Sequence, residues 1–380
     1  MSIRKALAIG VVGVCLNGIG IGPWALSSAI RGTAGDLTHF GDFTQFYVGA
    51  CLAGTGAEYD SGTVLRLQER VTGVVQPHLL PSRLPFYYGL LRPLCSLSYL
   101  SAHRVWLTLV SIAAAIAIAL LSLSQGEAAV VASLWSAPLF MSIVGGQDDS
   151  FLYLVLAAGL WLRQSGRPLS AGAMLSLLWI KFHLFLLLPA LFVIKREFRL
   201  VAGALLGSAA LLSACFAVAG RHWPASYAAL LLNPVLSPGP EIMPNLHGLA
   251  SHFAASTAVE TLLAILVAAS TVLVITRSGF AISFGAALLG SILISHHAYP
   301  ADCLVLVPGL VEIWRHGSSP SREIALICLL PIPYWFSGIL DYGWLPAILF
   351  VSALIALTLS SWRLAPEQSS RYEAKSESIG

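Results

Sequence analysis

The segment LSAGAMLSLLWIKFHLFLLLPALFVI, residues 169–194, decides the architecture. It is apolar but interrupted near its middle by Lys181 and His183. Basic residues flank it on both sides: Arg163 and Arg167 before it, Lys195, Arg196 and Arg199 after it. In membrane proteins Lys and Arg gather on the cytoplasmic side. A single crossing would put one basic group on the wrong side. A helical hairpin that enters and leaves on the same side satisfies the pattern, with Lys181 and His183 at its tip. Each arm of about 12 residues rises about 18 Å, part way through the hydrocarbon core. Broken backbone at that depth is tolerated only against protein or a water-filled cavity. One long tilted helix is the alternative, and it violates the charge rule.

The rest of the 380-residue chain supports a membrane setting. It is 57% apolar and 10% charged, with mean hydropathy +0.80. A soluble domain carries about a quarter charged residues, so lipid must solvate most of this surface. The expected class is an all-α polytopic membrane protein. Hydropathy places spans near 6–30, 104–123, 128–144, 150–162, 200–219, 257–276, 281–295, 300–314, 324–340 and 344–362. With the hairpin this makes about 10–12 transmembrane or re-entrant helices in one domain, 1–363, followed by a disordered cytoplasmic tail, 364–380. Several spans fall short of the roughly 20 residues of a perpendicular crossing. The first apolar run reads as an uncleaved span. The net charge of +3 and the absence of a basic block give no reason to expect nucleic acid. The ten tryptophans read mainly as interfacial anchors.

With Arg4 and Lys5 inside, 31–92 becomes a long outer loop. Arg163, Arg167, Lys195, Arg196, Arg277 and Arg315 all fall inside. Asp36, His39, Asp42, Glu58, Asp60, His78, Asp148, Asp149, Glu241, His247, His296, His297 and Asp341 fall outside. The asymmetry directs chemistry outward, although acidic outer loops also follow simply from basic inner ones. Within the outer loop, Phe43, Phe46, Tyr47, Ala50 and Cys51 recur at helical spacing, which predicts a short amphipathic helix on the membrane surface. Gly54 and Gly56 stop it, and Asp60 caps a second short helix over 62–72. Asp42 precedes Gln45 by three positions, an N-terminal capping pattern that would keep its carboxylate ionised. A capping role and a general-base role are compatible. Cys51 and Cys95 share this loop, but spacing alone argues against a bridge between them. The six cysteines form no Cys-x-x-Cys pair.

The order of motifs resembles glycosyltransferase family 87, the polyprenyl-phosphate-mannose-dependent membrane enzymes of the GT-C superfamily. The resemblance rests on the outer Asp42 with its aromatic helix, then Gly54-x-Gly56-x-Glu58-Tyr59-Asp60. Pro85-Phe86-Tyr87-Tyr88 and Arg92-Pro93-Leu94 follow, then Gly146-Gln147, Gly166-Arg167-Pro168-Leu169-Ser170-Ala171-Gly172 and Lys181. It runs over about residues 37–200, with looser agreement at Asn245 and His296-His297. Tyr87-Tyr88-Gly89 replaces the family's usual Tyr-Pro-Pro, and Phe182-His183 stands where Pro often follows the Lys.

The resemblance implies a GT-C-type bundle in a bacterial inner membrane, with its active site on the periplasmic side. It implies transfer of a sugar from a polyprenyl-phosphate donor to an acceptor hydroxyl on a glycan or glycolipid, inverting the anomeric carbon. The lipid-linked sugar phosphate is a co-substrate, and no cofactor or metal is expected. A phosphate ester leaves readily, so one base suffices, and Asp42 is its candidate. Arg83, Lys181, His183 and His297 are candidates for holding the phosphate, and Gln147 and Asp148 for the sugar hydroxyls. Tyr88 belongs to the same donor and acceptor set. Plainer roles stand beside these: Lys181 as the partner of a carboxylate, His183 packed against Phe182 and Leu184, and Gln147-Asp148-Asp149 as a solvated turn or a helix cap. His296 and His297 with Asp302 suggest a metal, but adjacent histidines point in different directions, which makes a shared ligand sphere awkward. Two other functions fit parts of the pattern: a secondary transporter with a broken helix at 169–194, and a lipid-linked glycan ligase or polymerase.

Overall fold

The computed structural model describes residues 3–31, 41–233 and 239–363. Asp36, His39 and the expected tail at 364–380 lie outside them. The described residues are helical, with no strand among them. The helices are α1 (Ile3–Arg31), α2 (Phe43–Leu52), α3 (Ser61–Thr72), α4 (Pro85–Leu91), α5 (Tyr99–Gln125), α6 (Glu127–Trp135), α7 (Ala137–Val144) and α8 (Asp149–Gln164). Then come α9 (Pro168–Leu175), a 3₁₀ stretch (Ser176–Phe185), α10 (Leu188–Ile194), α11 (Phe198–Ala219), α12 (Trp223–Leu231), α13 (Leu246–His252), α14 (Thr257–Arg277) and α15 (Phe280–Ile294). A 3₁₀ turn (Ala301–Leu306) leads into α16 (Val307–His316), α17 (Ser319–Leu329), α18 (Ile332–Leu340) and α19 (Trp344–Arg363).

Two kinds of helix build the bundle. α5 buries one stripe, including Ala102, Trp106, Val110, Ala113 and Ala117. Its opposite face exposes Val105, Leu109, Ile112 and Ile116. A helix apolar on both its inner and outer faces is solvated by lipid. α15 instead buries every residue from Ser283 to Leu293 and forms the centre of the bundle. The protein is an all-α polytopic membrane protein. By length and composition, five helical stretches among the described residues could cross a membrane: α5, α11, α14, α19 and the run Pro168–Phe185 that α9 and the 3₁₀ stretch make together; the pair α6–α7, bent by 57°, is a sixth if it counts as one span.

The other expected spans are shorter or broken, and proline is the main reason. Pro138, Pro308 and Pro333 each stand in the first turn of α7, α16 and α18, just after an interruption. A proline there lacks the N–H that would continue the preceding helix. Thus 128–144 bends, 300–314 begins as a 3₁₀ turn, and 324–340 divides at Leu330–Pro331.

The hairpin expected over 169–194 is present. At one end of the bundle Arg163, near the end of α8, donates through Nε to Glu197 Oε1 at 3.0 Å, just after the hairpin closes. Its guanidinium also lies 3.5 Å from the Phe280 ring centre. At the other end Lys181 reaches Asp149, the first residue of α8. The chain therefore leaves the Arg163 end, turns at Lys181 and returns. Measured along α8, that excursion is about 21 Å. Lys181 is the turning residue, with φ −133° and ψ 58° inside the 3₁₀ stretch. The returning arm runs against α15: Leu187 N donates to Ser291 Oγ at 2.9 Å, and Lys195 Nζ donates to Ser278 O. The outgoing arm lies backbone to backbone on α11. A Cβ at Gly172 would stand 1.9 Å from Leu200 O, and one at Gly203 2.0 Å from Leu169 O.

Three expectations for the outer loop need correction. α2 is not a surface helix: every residue from Phe43 to Ala50 is buried. Its polar residues are satisfied inside, Thr44 Oγ1 by Tyr99 OH at 2.8 Å and Gln45 Oε1 by Ser82 Oγ at 3.3 Å. Asp42 does not cap α2 through its side chain: its backbone is already helical (φ −59°, ψ −14°), not in the extended conformation that a capping residue takes. Cys51 and Cys95 are joined in a disulfide, their Cα atoms 5.2 Å apart, because α2 packs directly on the 3₁₀ segment Arg92–Ser96. By contrast, α3 forms as the sequence indicates. Asp60 accepts from Thr63 N at 2.8 Å, and Gly54 (φ +82°) and Gly56 (φ +77°) follow the end of α2.

Candidate active site

The elements between α1 and α5 converge on Arg83. The irregular passage before it is pinned by Gln68, which donates to Leu79 O at 2.7 Å and accepts from Gln76 N at 3.0 Å. Two tyrosines then clamp the Arg83 peptide: Tyr59 OH donates to its carbonyl at 2.8 Å, and its N–H donates to Tyr88 OH at 2.8 Å. The side chain so placed forms a two-point pair with Asp148, Nε to Oδ2 at 2.7 Å and Nη2 to Oδ1 at 3.1 Å. Planar guanidinium and carboxylate match in this geometry.

Asp148 links Arg83 to the hairpin tip. Lys181 Nζ lies 3.0 Å from Asp148 Oδ1, 2.6 Å from Asp149 Oδ1 and 2.7 Å from Asp302 Oδ1. Asp302 Oδ2 also accepts from Tyr299 N at 2.6 Å. All five charged side chains are buried. Burial would raise the pKa of Asp148, but the charges of Arg83 and Lys181 outweigh it and hold the carboxyl below its usual range.

Asp42 stands beside this network rather than within it. Its N–H donates to Gly145 O at 3.2 Å, in a turn that Trp106 Nε1 braces by donating to Gly146 O at 2.8 Å. Asp42 is part-buried, and among the described residues no ion pair engages its carboxylate. Burial raises its pKa, while the nearby charges of Lys181 and Arg83 limit the rise. A carboxylate with raised pKa is a stronger proton acceptor than an ordinary one. His183 follows the hairpin tip by two residues, and its ring centre is 6.2 Å from that of His297. Burial lowers the His297 pKa to about 4, so its imidazole is neutral near neutral pH. Gln147 is half-buried in the turn before Asp148, its N–H donating to Ser142 O at 2.8 Å.

The structure therefore gathers Asp42, Arg83, Tyr88, Gln147, Asp148, Lys181, His183 and His297 in one region. Two further members, Asp149 and Asp302, complete the coordination of Lys181. Asp149 adjoins Asp148, and a pair of acids at the start of an apolar helix was its only signal. Asp302 lies 121 residues from Lys181 along the chain, and nothing in the sequence pairs them.

The sequence profile of glycosyltransferase family 87 matches residues 85–295. The chain belongs to glycosyltransferase family 87. The matched stretch covers more than half of the chain and contains Tyr88, Gln147, Asp148, Lys181 and His183. Asp42, Arg83, His297 and Asp302 lie outside it and join the site through the fold. No curated protein and no solved structure matches this family 87 member. Membership makes the protein a glycosyltransferase with a sugar donor and an acceptor, and sets aside the transporter.

Proposed function

We propose that this glycosyltransferase moves a sugar, mannose or another hexose, from a polyprenyl-phosphate donor to an acceptor hydroxyl on a glycan or glycolipid. The reaction takes place at the outer face of a bacterial inner membrane and inverts the anomeric carbon. One observation carries the reading: Asp42 is a part-buried carboxylate outside every ion pair among the described residues, set against a buried network whose own carboxylates are committed to cations. Asp42 accepts the acceptor proton as the hydroxyl oxygen bonds to the anomeric carbon. The bond from that carbon to the phosphate oxygen breaks on the opposite side, and the polyprenyl phosphate departs with the electron pair. Arg83 and Lys181 are already compensated by carboxylates, so they act on the phosphate through their field. His183 and the neutral His297 supply N–H donors as its charge grows. Gln147 offers its amide to sugar hydroxyls, while Asp148 and Tyr88 position Arg83.

Two features support the lipid donor and the outer face. An apolar groove of about 470 Å³, lined by Ala53, Phe86, Leu90, Leu211, Ala214 and Val218 with Arg92, runs beside α4 and suits a prenyl chain with an anionic head. The Cys51–Cys95 disulfide in the same loop belongs in an oxidising compartment, which the cytosol is not.

The test is transfer from a radiolabelled polyprenyl-phosphate sugar in membranes carrying the wild type or Asp42→Asn. The variant should lose about 10²- to 10⁴-fold in rate. Full activity would remove Asp42 from the mechanism.

A further inference from the structure

His247, Glu260 and His296 come from three separate elements: the first turn of α13, the first turn of α14, and the segment after α15. Each offers one ligand atom, and the three atoms all lie within 4.8 Å of one another. His247 Nδ1 is 3.0 Å and 3.2 Å from the two Glu260 oxygens. The rings of His247 and His296 have centres 4.2 Å apart.

We propose that these residues form a zinc site that ties the starts of α13 and α14 to the segment carrying His297. Two imidazoles and one carboxylate suit Zn²⁺, whereas Mg²⁺ and Ca²⁺ favour oxygen alone. Four-coordinate zinc, with bonds of about 2.1 Å, needs its ligand atoms about 3.4 Å apart. The His247–Glu260 pair, at 3.0 Å and 3.2 Å, is already close to that spacing. His296 is exposed, so rotation of its side chain completes the set. The exposure leaves a fourth position for water.

The backbone on which the ligands stand is held independently. Asn245 caps α13, accepting from Gly248 N at 2.9 Å, and donates to Ser295 O at 2.7 Å. One buried amide thus fixes the chain two residues before His247 and one residue before His296. Adjacent histidines diverge, as the sequence requires. His296 faces His247, while His297 faces His183 and lies 4.8 Å, ring centre to ring centre, from Tyr299. Metal at His296 would therefore stiffen the 295–299 segment without touching the reacting groups.

The test uses the full-length, tag-free protein in detergent, stripped with a chelator and titrated with Co²⁺ as a spectroscopic stand-in for zinc. One equivalent should produce the visible bands of low-coordinate cobalt, and Zn²⁺ should displace it. His296→Ala and His247→Ala should each weaken binding about 100-fold, and Glu260→Gln should weaken it too. His222→Ala, at an exposed histidine before α12, should bind like the wild type. Absence of a stoichiometric cobalt spectrum overturns the site, as does a spectrum that survives in His296→Ala. Elution of each variant on size exclusion like the wild type ties lost binding to lost ligands. The readout needs no sugar donor, so it stands or falls apart from the transferase mechanism.

Discussion

At the Arg163 end of the bundle, Arg163 and Glu197 pair with 27% and 22% of their side chains exposed. At the opposite end, Lys181 and its partners Asp148, Asp149 and Asp302 are 5% exposed or less. The first pair keeps water, and such pairs contribute at most about 1 kcal/mol. The second set has surrendered its water, and the desolvation cost of buried ions commonly equals or exceeds their mutual attraction. Stability does not explain why a membrane protein keeps four charges there. Ionisable groups at such places mark function. On the proposed reaction, the contrast puts anchoring at one end and chemistry at the other.

The largest effect that could break this contrast is at Asp42. Asp42→Asn should cut transfer by about 10²- to 10⁴-fold, and it should not cost stability. Burial raises the pKa of Asp42 on folding above its ordinary carboxylate value. The folded chain therefore binds that proton more tightly than the unfolded one. Stability falls as pH rises from about that value through the raised pKa, and the loss persists above it. The Asn variant carries no such penalty and should melt slightly higher than wild type at neutral pH. Wild-type activity should fall as pH drops through the raised pKa, which a pH–rate profile reads directly. A variant both inactive and less stable would mean that Asp42 holds the fold.

Next in size is Lys181→Met. It leaves Asp149 and Asp302 buried without their cation and should destabilise the protein by about 3–5 kcal/mol, read from thermal melting in detergent. A loss below about 1 kcal/mol would erase the distinction between the two ends. Opening the disulfide with Cys51→Ser is comparable, at about 4 kcal/mol for a bridge across 44 residues. Reductant should lower the wild-type melting temperature and leave the variant unchanged. The smallest effect is at the other end. Arg163→Ala should cost about 1–2 kcal/mol, for its ion pair and its contact with Phe280, and leave the transfer rate alone.

How far the sequence spoke differs between the same two ends. The hairpin was legible because basic flanks on both sides of 169–194 leave few topologies, and Lys181 was conspicuous as an isolated charge. Its partners were not: Asp302 comes from a distant segment. The burial of α2 was also hidden. Phe43, Phe46 and Tyr47 declare one apolar face, and only tertiary contacts to Tyr99 and Ser82 show that Thr44 and Gln45 on the other face are buried too. Spans such as 300–314 read as whole on hydropathy alone, because averaging over a window passes over a single proline. The disulfide could not be read because spacing says nothing of which segments pack together.

The glycine contacts between α9 and α11 limit how the enzyme can move. With Gly172 and Gly203 letting each backbone touch the other, no side chain is left there to act as a bearing. The Lys181 arm cannot roll or slide on α11 without prising two main chains apart. It behaves as a fixed anvil, and any breathing that lets a substrate in and out has to come from helices joined by softer, side-chain contacts.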